Sequence, residues 1–434
     1  MKVEGRAAGV LLALFLAIAP GCGGDREAFR IGVLTECTGL FATTNENARA
    51  GAALALLERG GVRTAEGGAR ADVRGRRIEL VTACTELTYL HLLILATRRL
   101  VEEDRVDVVV GPVGGAESVT FRNLAARYPG VTFVAAYGAQ EATLRNPPGN
   151  LFRVTPDGPQ TSAGLGSHAY KKLGWRRAVV VGEPFDPSWE QAAGFVAEFC
   201  ALGGNVVERD WSSLYVPDAS EAARRHAREA DGVVLVPAVT PPVPYLIAYA
   251  KEAAPLAKRL LLSSPVFLEP RSVAVKGVDL NDVVVGGSFP LGSGGDRMNA
   301  FRSSYAARFP EQPIARAQEP FVIPVYTAVA AVAAALEATG GELGERQAKL
   351  RAALASRPFD APWGTIRLDG NRQASGPTYL ERIEIGENGK VTARPVRTLR
   401  RVEQTFGGIF TESTTPPSAS TPTCERRPPP SWAR

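Results

Sequence analysis

Residues 107–118 read DVVVGPVGGAES, in which four strand-like residues precede a glycine-rich turn and the start of a helix. Phosphate-binding loops and catalytic turns both have this form. A Walker loop needs Lys and then Ser or Thr after its last glycine, where this chain has Ala116 and Glu117. The dinucleotide fingerprint G-x-G-x-x-G does not fit, and Glu117 would repel a pyrophosphate. A nucleophile elbow needs G-x-S-x-G, which is missing. The stretch indicates exposed backbone without phosphate or acyl chemistry.

The other residue types that support catalysis are few and scattered. The three histidines, His91, His168 and His226, lie in separate helical patterns without an H-E-x-x-H motif or a Cys/His cluster. We interpret them as ordinary helix-surface histidines, and we predict neither a metal site nor a cofactor.

Several carboxylates follow predicted strand ends, where they could act as an acid or a base. The alternative is that they start helices, whose N-terminal dipole favours negative charge, and this alternative is the stronger one. We therefore do not expect an enzyme. The carboxylates are Glu46, Glu117, Glu141, Asp186 and Glu269.

Length and charge set broad limits. The 434 residues, 45% of them apolar, are enough for two or three domains with substantial cores. The net charge of +5 comes from scattered arginines without interleaved aromatic residues. We therefore predict no nucleic-acid partner.

The N-terminus has the features of an export signal. Lys2 and Arg6 precede an apolar run at 7–19 that is short for a membrane span, and small residues follow. We predict a lipoprotein signal peptide at 1–22, because Cys22 resembles the lipidated cysteine of a bacterial lipobox. The alternative is ordinary cleavage near Gly21 with Cys22 as a free thiol.

Export makes the other four cysteines candidates for disulfides, and four cysteines allow three pairings. Cys37 follows the first predicted strand and Cys84 ends the second, so neighbouring strands could bring them within bridging distance. That pairing leaves Cys200 to bridge Cys424. The second bridge would pin residues 412–434, whose Ser, Thr and Pro content predicts disorder.

The elements around these residues alternate in type. FRIGVL, RIELVTAC, DVVVG and VTFVAA are predicted strands, with helices at 45–59, 87–103 and 118–128. After NPPGN the alternation restarts through RRAVVVG, NVVERD, DGVVLVP and RLLLSS. The fold class is therefore α/β, with two doubly wound Rossmann-like lobes. The apolar run FVIPVYTAVAAVAAAL is short and contains Pro324, so we predict a buried helix.

Small residues dominate the loops TECTG, GPVGGAES and AAYGAQE, which follow three strands of the first lobe. Ligands of open α/β sheets bind beyond the carboxyl ends of the strands. Backbone N–H groups at this edge can hold a small polar ligand without catalysis.

The order of several segments resembles a known family: IGVLTECTG, ARAGAALAL, RGRRIEL, VVVGPVGGAES, LFRVTPD, KKLGWRRAVVVGE and WGTIRLDGNR. From 29 to about 401 the chain resembles the type I periplasmic binding proteins of the leucine/isoleucine/valine-binding kind, the solute receptors of bacterial ABC importers. The resemblance implies two lobes joined by three crossover strands, LFRVTPD, VVVGGSFP and WGTIRLD. Lobe I would be 29–153 plus 287–362, lobe II 156–286 plus 364–404, and 405–434 a Ser/Thr/Pro-rich tail.

The resemblance also implies ligand-binding positions in the loops that face the cleft. The family's ammonium-binding carboxylate is expected near Ser264 and Pro265, where this chain has none. Asp186, Glu117 or Glu269 could replace it; otherwise the ligand would be an amide, an aromatic acid or another small metabolite. The implied positions are Thr44, Gly114, Gly115, Ala116, Glu117, Tyr137, Gly138, Ala139, Gln140, Phe185, Asp186, Trp189, Val239, Thr240 and Pro265.

The function implied by the resemblance is that of a solute-binding protein of an ABC importer, which closes on a small polar ligand by a hinge motion. Its partners would be that ligand, an ABC permease in the inner membrane, and the membrane itself through a lipid anchor. We expect a monomeric periplasmic lipoprotein. One alternative is a ligand sensor that acts through a membrane partner; a hydrolase using Glu117 or Asp186 is a weaker one.

Overall fold

The computed structural model describes residues 28–39, 41–65, 68–86, 89–112, 117–238, 240–264, 268, 275–292, 294–314, 318–387 and 389–434. Within these residues the chain forms two sheets with helices packed on their faces. This arrangement is the α/β fold of two lobes that the sequence predicted.

The first sheet has seven strands: β1 Phe29–Glu36, β2 Val62–Arg63, β3 Ala69–Val73, β4 Arg76–Thr85, β5 Val108–Val110, β6 Thr132–Ala135 and β7 Leu151–Arg153. Their order is β2-β3-β4-β1-β5-β6-β7. Strands β4, β1, β5, β6 and β7 are parallel, and β2 and β3 add an antiparallel edge.

The β3–β4 hairpin was not predicted from the sequence. Arg74 and Gly75 form its turn, with φ of 55° and 74°. Positive φ at both central residues is the geometry of the tight turn whose twist matches that of the flanking strands.

The second sheet contains the remaining strands: β8 Arg177–Gly182, β9 Asn205–Asp210, β10 Gly232–Val236, β11 Leu260–Leu262, β12 Val284–Gly287, β13 Phe359–Ala361, β14 Gly364–Leu368, β15 Ala374–Ile385 and β16 Val391–Val402. Strands β9, β8, β10, β11 and β12 are parallel neighbours. Strand β15 pairs antiparallel with β12, β14 and β16.

Helices cover both sheets. They are α1 Asn45–Leu57, α2 Leu90–Arg98, α3 Ser118–Arg127, α4 Glu141–Leu144, α5 Gly158–Thr161, α6 Leu165–Lys171, α7 Asp186–Ala201, α8 Ser220–Glu229, α9 Val243–Ala253, α10 Gly295–Arg308, α11 Glu319–Ala338 and α12 Ala348–Ser356. The chain leaves the first sheet after β7, returns after β12, and crosses again between β14 and β15. The ends of the two lobes stay a prediction.

Helix α11 packs against α1 in the core of the first lobe. It is long and apolar enough to cross a membrane by length and composition, but 67% of its most apolar window is buried. Gly51 of α1 allows the close packing, because a Cβ there would lie 2.8 Å from Cγ1 of Val322. The prediction of a buried helix is confirmed.

Two disulfides are present, Cys37–Cys84 and Cys200–Cys424. The first joins the carboxyl ends of β1 and β4, which are parallel neighbours. The second joins the C-terminal end of α7 to the tail. These are the pairs favoured by the sequence.

The prediction of disorder for 412–434 was wrong. The carbonyls of Thr414, Ala419 and Pro422 accept hydrogen bonds from Arg145, Trp211 and Arg209. Aromatic residues at the two ends of the tail pack into one cluster with α7. Its members include Phe406, Phe410 and Trp432. Composition alone understated the order, because it does not count the disulfide or the arginines that bind the tail's carbonyls.

The interpretation of the histidines as surface residues also needs correction. His91 is exposed, but His168 is 7% exposed and His226 is fully buried. The ring of His226 lies between α8 and α9, where Nδ1 is 2.8 Å from the hydroxyl of Tyr245. Its helical pattern does not reveal this polar interior.

Candidate functional site

The carboxyl ends of the two sheets meet at the loop after β6 and the first turns of α7, which follows β8. The backbone N–H of Gln140 in the first lobe donates to Oε2 of Glu190 in the second, at 2.9 Å. The interlobe cleft is the space between two sets of loops. The first-lobe wall is formed by 36–39, 41–44, 117 and 136–140, and the second-lobe wall by 183–190, 238 and 240–242. In open α/β sheets this edge is where ligands bind.

The loop at 136–140 is held by the first lobe. The backbone N–H of Ala139 donates to Oγ of Ser118 at 2.9 Å, and its carbonyl accepts from Arg153 at 2.7 Å. Gly138 has a φ of 147°, and a Cβ there would lie 2.5 Å from Cβ of Ser118. Ala139 and Gln140 therefore use their amides within the protein, although the family resemblance implied that this loop offers amides to the ligand.

Two buried polar atoms of residues in the cleft loops have no hydrogen-bond partner among the residues that the structure describes. They are Oε1 of Gln140, an acceptor from the first lobe, and Nε1 of Trp189, a donor from the second. Buried polar atoms in native proteins are nearly always paired, because an unpaired one costs about 1–3 kcal/mol. A ligand that offers a donor and an acceptor would satisfy both atoms.

Phe185 and Asp186 lie at the start of α7. Phe185 is partly buried and precedes the helix, while Asp186 is exposed in its first turn. Although Asp186 as a residue is exposed, partial desolvation of its carboxyl group raises the pKa, and the charge of Glu141 in the first lobe raises it further. Carboxylates from the two lobes thus come near one another at the cleft.

Glu183 organises the second-lobe wall of the cleft. It is fully buried and accepts hydrogen bonds from the backbone of Ala238 and, at 2.9 Å, of Thr240. The hydroxyl of Tyr215, which is half exposed, donates to the same carboxylate at 3.1 Å. Glu183 therefore fixes the loop that carries Thr240 relative to the loop that carries Tyr215.

The first-lobe wall contains the predicted Thr44 and Glu117. The hydroxyl of Thr44 donates to the carbonyl of Phe41 at 2.7 Å, so it stabilises its own turn. The aromatic residue of this loop is Phe41, whose ring lies 5.0 Å from that of Phe321. Glu117 is fully buried immediately before α3, in the loop that follows β5. Glu36 is buried at the end of β1, the strand that neighbours β5 in the sheet.

The partly buried Tyr137 completes the loop after β6. Burial raises the pKa of its phenol to about 12, and the charge of Glu190 adds to this effect. The phenol therefore stays protonated at neutral pH and remains a hydrogen-bond donor.

Behind the cleft, Arg153 joins the first crossover to the third. Its guanidinium donates to Oε1 of Gln373 and to the hydroxyl of Thr143, and lies 3.8 Å from the Asp157 carboxylate. All four side chains are buried. Burial raises the pKa of Asp157, while Arg153 opposes this shift. A buried pair held by further hydrogen bonds defines one arrangement of the crossovers.

Glu190 is a buried carboxyl group at the contact between the lobes. Burial raises its pKa to about 8, and the neighbouring Asp157 adds to the shift. The group therefore binds a proton near neutral pH while accepting the N–H of Gln140.

Several predicted positions lie outside the described residues. Among the predicted positions that the structure describes, Tyr137, Gly138, Ala139 and Gln140 lie together with the start of α7. The remaining positions stay predictions. The predicted positions that lie outside the described residues are Gly114, Gly115, Ala116, Val239, Pro265, the alternative acid Glu269, and Cys22 with its signal peptide.

Sequence reasoning missed Glu36, Glu183, Glu190, Arg153 and Tyr215. A usable signal existed for three of them: Glu36 and Glu183 stand directly at the ends of β-branched strands, and Arg153 interrupts the apolar crossover LFRVTPD. Nothing in the local pattern distinguishes Glu190 from a solvated residue of α7.

Comparison with known families agrees with this architecture. Residues 28–390, well over half of the chain, match the family described as periplasmic binding protein. The chain belongs to the type I periplasmic binding proteins. Membership implies solute binding without catalysis and a place outside the cytoplasm. No curated protein matches the sequence.

Solved structures show the same fold. An ABC transporter substrate-binding protein from Sphaerobacter thermophilus has 22% identity and a TM-score of 0.74, over 86% of this chain and 98% of that one. A solute binding protein from R. palustris in complex with benzoate has 21% identity and a TM-score of 0.69, over 86% and 97%. LivJ from Streptococcus pneumoniae, in complex with isoleucine, has 18% identity and a TM-score of 0.64, over 85% and 99%.

Proposed function

We propose that this protein is the solute receptor of an ABC importer and binds a small polar ligand in the interlobe cleft. The observation that carries the proposal is a pair of buried atoms, one in each lobe, that have no partner among the described residues: Oε1 of Gln140 and Nε1 of Trp189. A ligand that pairs with both would hold the two lobes together. Differential contact of this kind drives hinge closure.

The chemistry of these atoms limits the ligand class. Gln140 Oε1 needs a ligand donor, and Trp189 Nε1 needs a ligand acceptor. Amino acids, amides and hydroxylated aromatic acids carry both. The relatives with bound isoleucine and benzoate support an amino acid or an aromatic acid as the first compounds to test, with hydroxylated benzoates ahead of benzoate, which has no donor for Gln140.

The test is a melting-temperature screen over amino acids, amides, ureas and aromatic acids. A ligand that binds only the folded protein stabilises it by about 2.7 kcal/mol at a hundred times its Kd. We expect one narrow class to raise the Tm. If no compound in a broad library raises it, the proposal fails.

A matched pair of variants then locates the site. Trp189→Phe removes the indole N–H and keeps an aromatic ring, so we expect a loss of affinity of about fivefold to tenfold. Trp175→Phe is the control, because Trp175 precedes β8, at the other end of the sheet from the cleft, and its N–H donates to the carbonyl of Lys258 at 2.9 Å. Equal affinities for the two variants would exclude Trp189 as a ligand donor.

We also propose membrane attachment through a lipid on Cys22, which becomes the N-terminal residue when the residues before it are removed. The small residues around Cys22 and the preceding apolar run support this. Cys22→Ser should release the exported protein from the membrane fraction. A variant that stays membrane-bound would refute the lipid anchor and leave the solute receptor untouched.

A further inference from the structure

Glu208, Asp210 and His226 form a cluster on the second lobe, which we call the His226 cluster. Glu208 and Asp210 lie at the carboxyl end of β9, and His226 lies on α8. The His226 side chain is fully buried, the Asp210 side chain is 4% exposed, and the Glu208 side chain is 28% exposed. One side of the cluster is therefore open to solvent through Glu208.

Two separations within the His226 cluster match those between the ligands of a metal ion. Nε2 of His226 lies 3.4 Å from Oε1 of Glu208 and 3.5 Å from Oδ2 of Asp210. The three donor atoms lie within 4.8 Å of one another. These separations are long for hydrogen bonds. Tetrahedral Zn²⁺ ligands at about 2.1 Å from the ion are about 3.4 Å apart.

Neighbouring groups orient the donors. The hydroxyl of Tyr245 contacts Nδ1 of His226 at 2.8 Å, which leaves Nε2 directed at the carboxylates. Ser212 and Ser213 donate to Asp210 through their backbone N–H groups at 2.9 and 3.0 Å, and through their hydroxyls. Such outer hydrogen bonds fix ring and carboxylate directions in metal sites.

The chemistry of the three donors suits a cation. Glu208 and Asp210 supply carboxylate oxygens, and Nε2 of His226 is the ring nitrogen that faces them. Carboxylate oxygen and imidazole nitrogen are ligands that Zn²⁺ accepts.

Arg225 holds the place of a cation in this structure. Its guanidinium donates to both oxygens of Glu208, at 2.7 and 3.2 Å, and lies 3.3 Å from Nε2 of His226. The Arg225 side chain is 37% exposed, so it can turn into solvent.

We propose that the His226 cluster binds one divalent transition-metal cation, with Zn²⁺ as the best fit, and that the cation displaces Arg225 from Glu208. Three protein ligands leave a fourth position for water. The site lies at the base of the 211–217 loop, whose Tyr215 contacts Glu183 in the cleft wall. Bound metal would therefore hold the anchor of that loop through Asp210.

The test is a titration of untagged, chelator-treated full-length protein with Zn²⁺, followed by calorimetry and by competition with a chromophoric chelator. We expect one ion per chain. Glu208→Gln should weaken binding at least tenfold, and His226→Asn should abolish it. Arg225→Met should strengthen binding at least tenfold, because it removes the competing cation. His168→Asn, a change at a buried histidine outside the cluster, should leave binding unchanged.

A metal site predicts opposite changes in Zn²⁺ affinity for the two variants, a decrease for Glu208→Gln and an increase for Arg225→Met. A structural ion pair does not predict these changes. If the cluster is only an ion pair, neither variant changes Zn²⁺ affinity, and the proposal is wrong. A wild-type protein that binds no Zn²⁺, or an Arg225→Met variant that binds no tighter, also overturns it. Both residues are partly exposed, so these variants decide the question even if His226→Asn fails to fold. Failure here leaves the solute-receptor proposal intact, since the cleft residues are different.

Discussion

At the scale of single residues, the cleft depends on buried carboxyl groups in contrasting environments. Glu183 accepts three hydrogen bonds and organises two loops, whereas Glu190 accepts the N–H of Gln140 beside a second acid, Asp157. A carboxyl group with few donors and a neighbouring negative charge is more stable when protonated. Glu190 therefore makes the stability of the contact between the lobes depend on pH.

Glu190→Gln should change the pH dependence of stability. The pKa of Glu190 is about 8 in the folded protein and about 4.3 in an unfolded chain, so only the folded state keeps the proton between these values. The stability that this group contributes is complete below about pH 4 and is lost as the pH rises to about 8. The loss is on the order of 5 kcal/mol, and glutamine abolishes it. Urea unfolding at pH 5, 7 and 9 measures it.

The appropriate control is Glu252→Gln, because Glu252 is exposed on α9. This variant should follow the wild type at every pH. The account of Glu190 would be wrong if the Glu190→Gln and wild-type stabilities differed by the same amount at pH 5 and pH 9.

At the scale of elements, the central strands and helices followed from sequence patterns. Buried parallel strands such as DVVVG are continuous β-branched runs, and their periodicity differs from that of α1 and α7. Several strands at the periphery of the sheets were missed, although the edge strand β9 was predicted. Strand β3 alternates charged with small residues, and β16 reads VTARPVRTLRRV, in which arginines and a proline hide the strand pattern. Their pairing depends on partners distant in sequence, which local propensity does not include.

The contact between α1 and α11 yields a test at this scale. Alanine normally stabilises a helix interior by about 1 kcal/mol relative to glycine. At Gly51 the added Cβ would lie 2.8 Å from Cγ1 and 3.0 Å from the carbonyl oxygen of Val322. Overpacking of this kind costs about 1–3 kcal/mol. We expect Gly51→Ala to lower the free energy of unfolding by about 1 kcal/mol in chemical denaturation.

Gly130→Ala is the control, because Gly130 lies in a turn with no atom within 4 Å of the added Cβ. Its stability should stay within about 0.5 kcal/mol of the wild type. A Gly51→Ala protein as stable as the wild type would show that α1 and α11 move apart at no cost.

At the scale of the whole molecule, the C-terminal tail ties distant parts together. It is joined to α7 by Cys200–Cys424, it contacts Arg145 of the first lobe through Thr414, and it lies beside the edge strand β9 through Trp211. Covering an open strand edge protects it from pairing with another chain. The tail lies beyond the residues 28–390 that match the family.

Removing the second disulfide should loosen the tail. A Cys200→Ser/Cys424→Ser double variant opens a bridge between residues 224 apart in sequence, and we expect it to lose about 2–5 kcal/mol of stability. Limited proteolysis should then cut within 411–423. The matched control is Cys37→Ser/Cys84→Ser, which removes the first-lobe bridge and should leave the tail protected. Equal resistance of both variants to protease would show that noncovalent contacts alone hold the tail.

The site was less predictable than the fold. Positions such as Gln140 and Trp189 followed from the family resemblance, because they stand in loops whose place in the fold is fixed. Glu183, Glu190 and Arg153 act through burial and through partners in other elements, and these properties arise only when the chain is folded. For the same reason the sequence did not identify His226 as a buried residue.

Small-angle X-ray scattering tests the central claim, that the two lobes close on a ligand. Scattering should be measured on the free protein and at saturation with the compound that gives the largest rise in Tm. We predict a smaller radius of gyration for the wild-type protein at saturation. At a second concentration, near the wild-type Kd, the Trp189→Phe variant should show a smaller decrease than the wild type. An unchanged radius of gyration at full saturation of the wild-type protein would contradict closure of the lobes on the ligand.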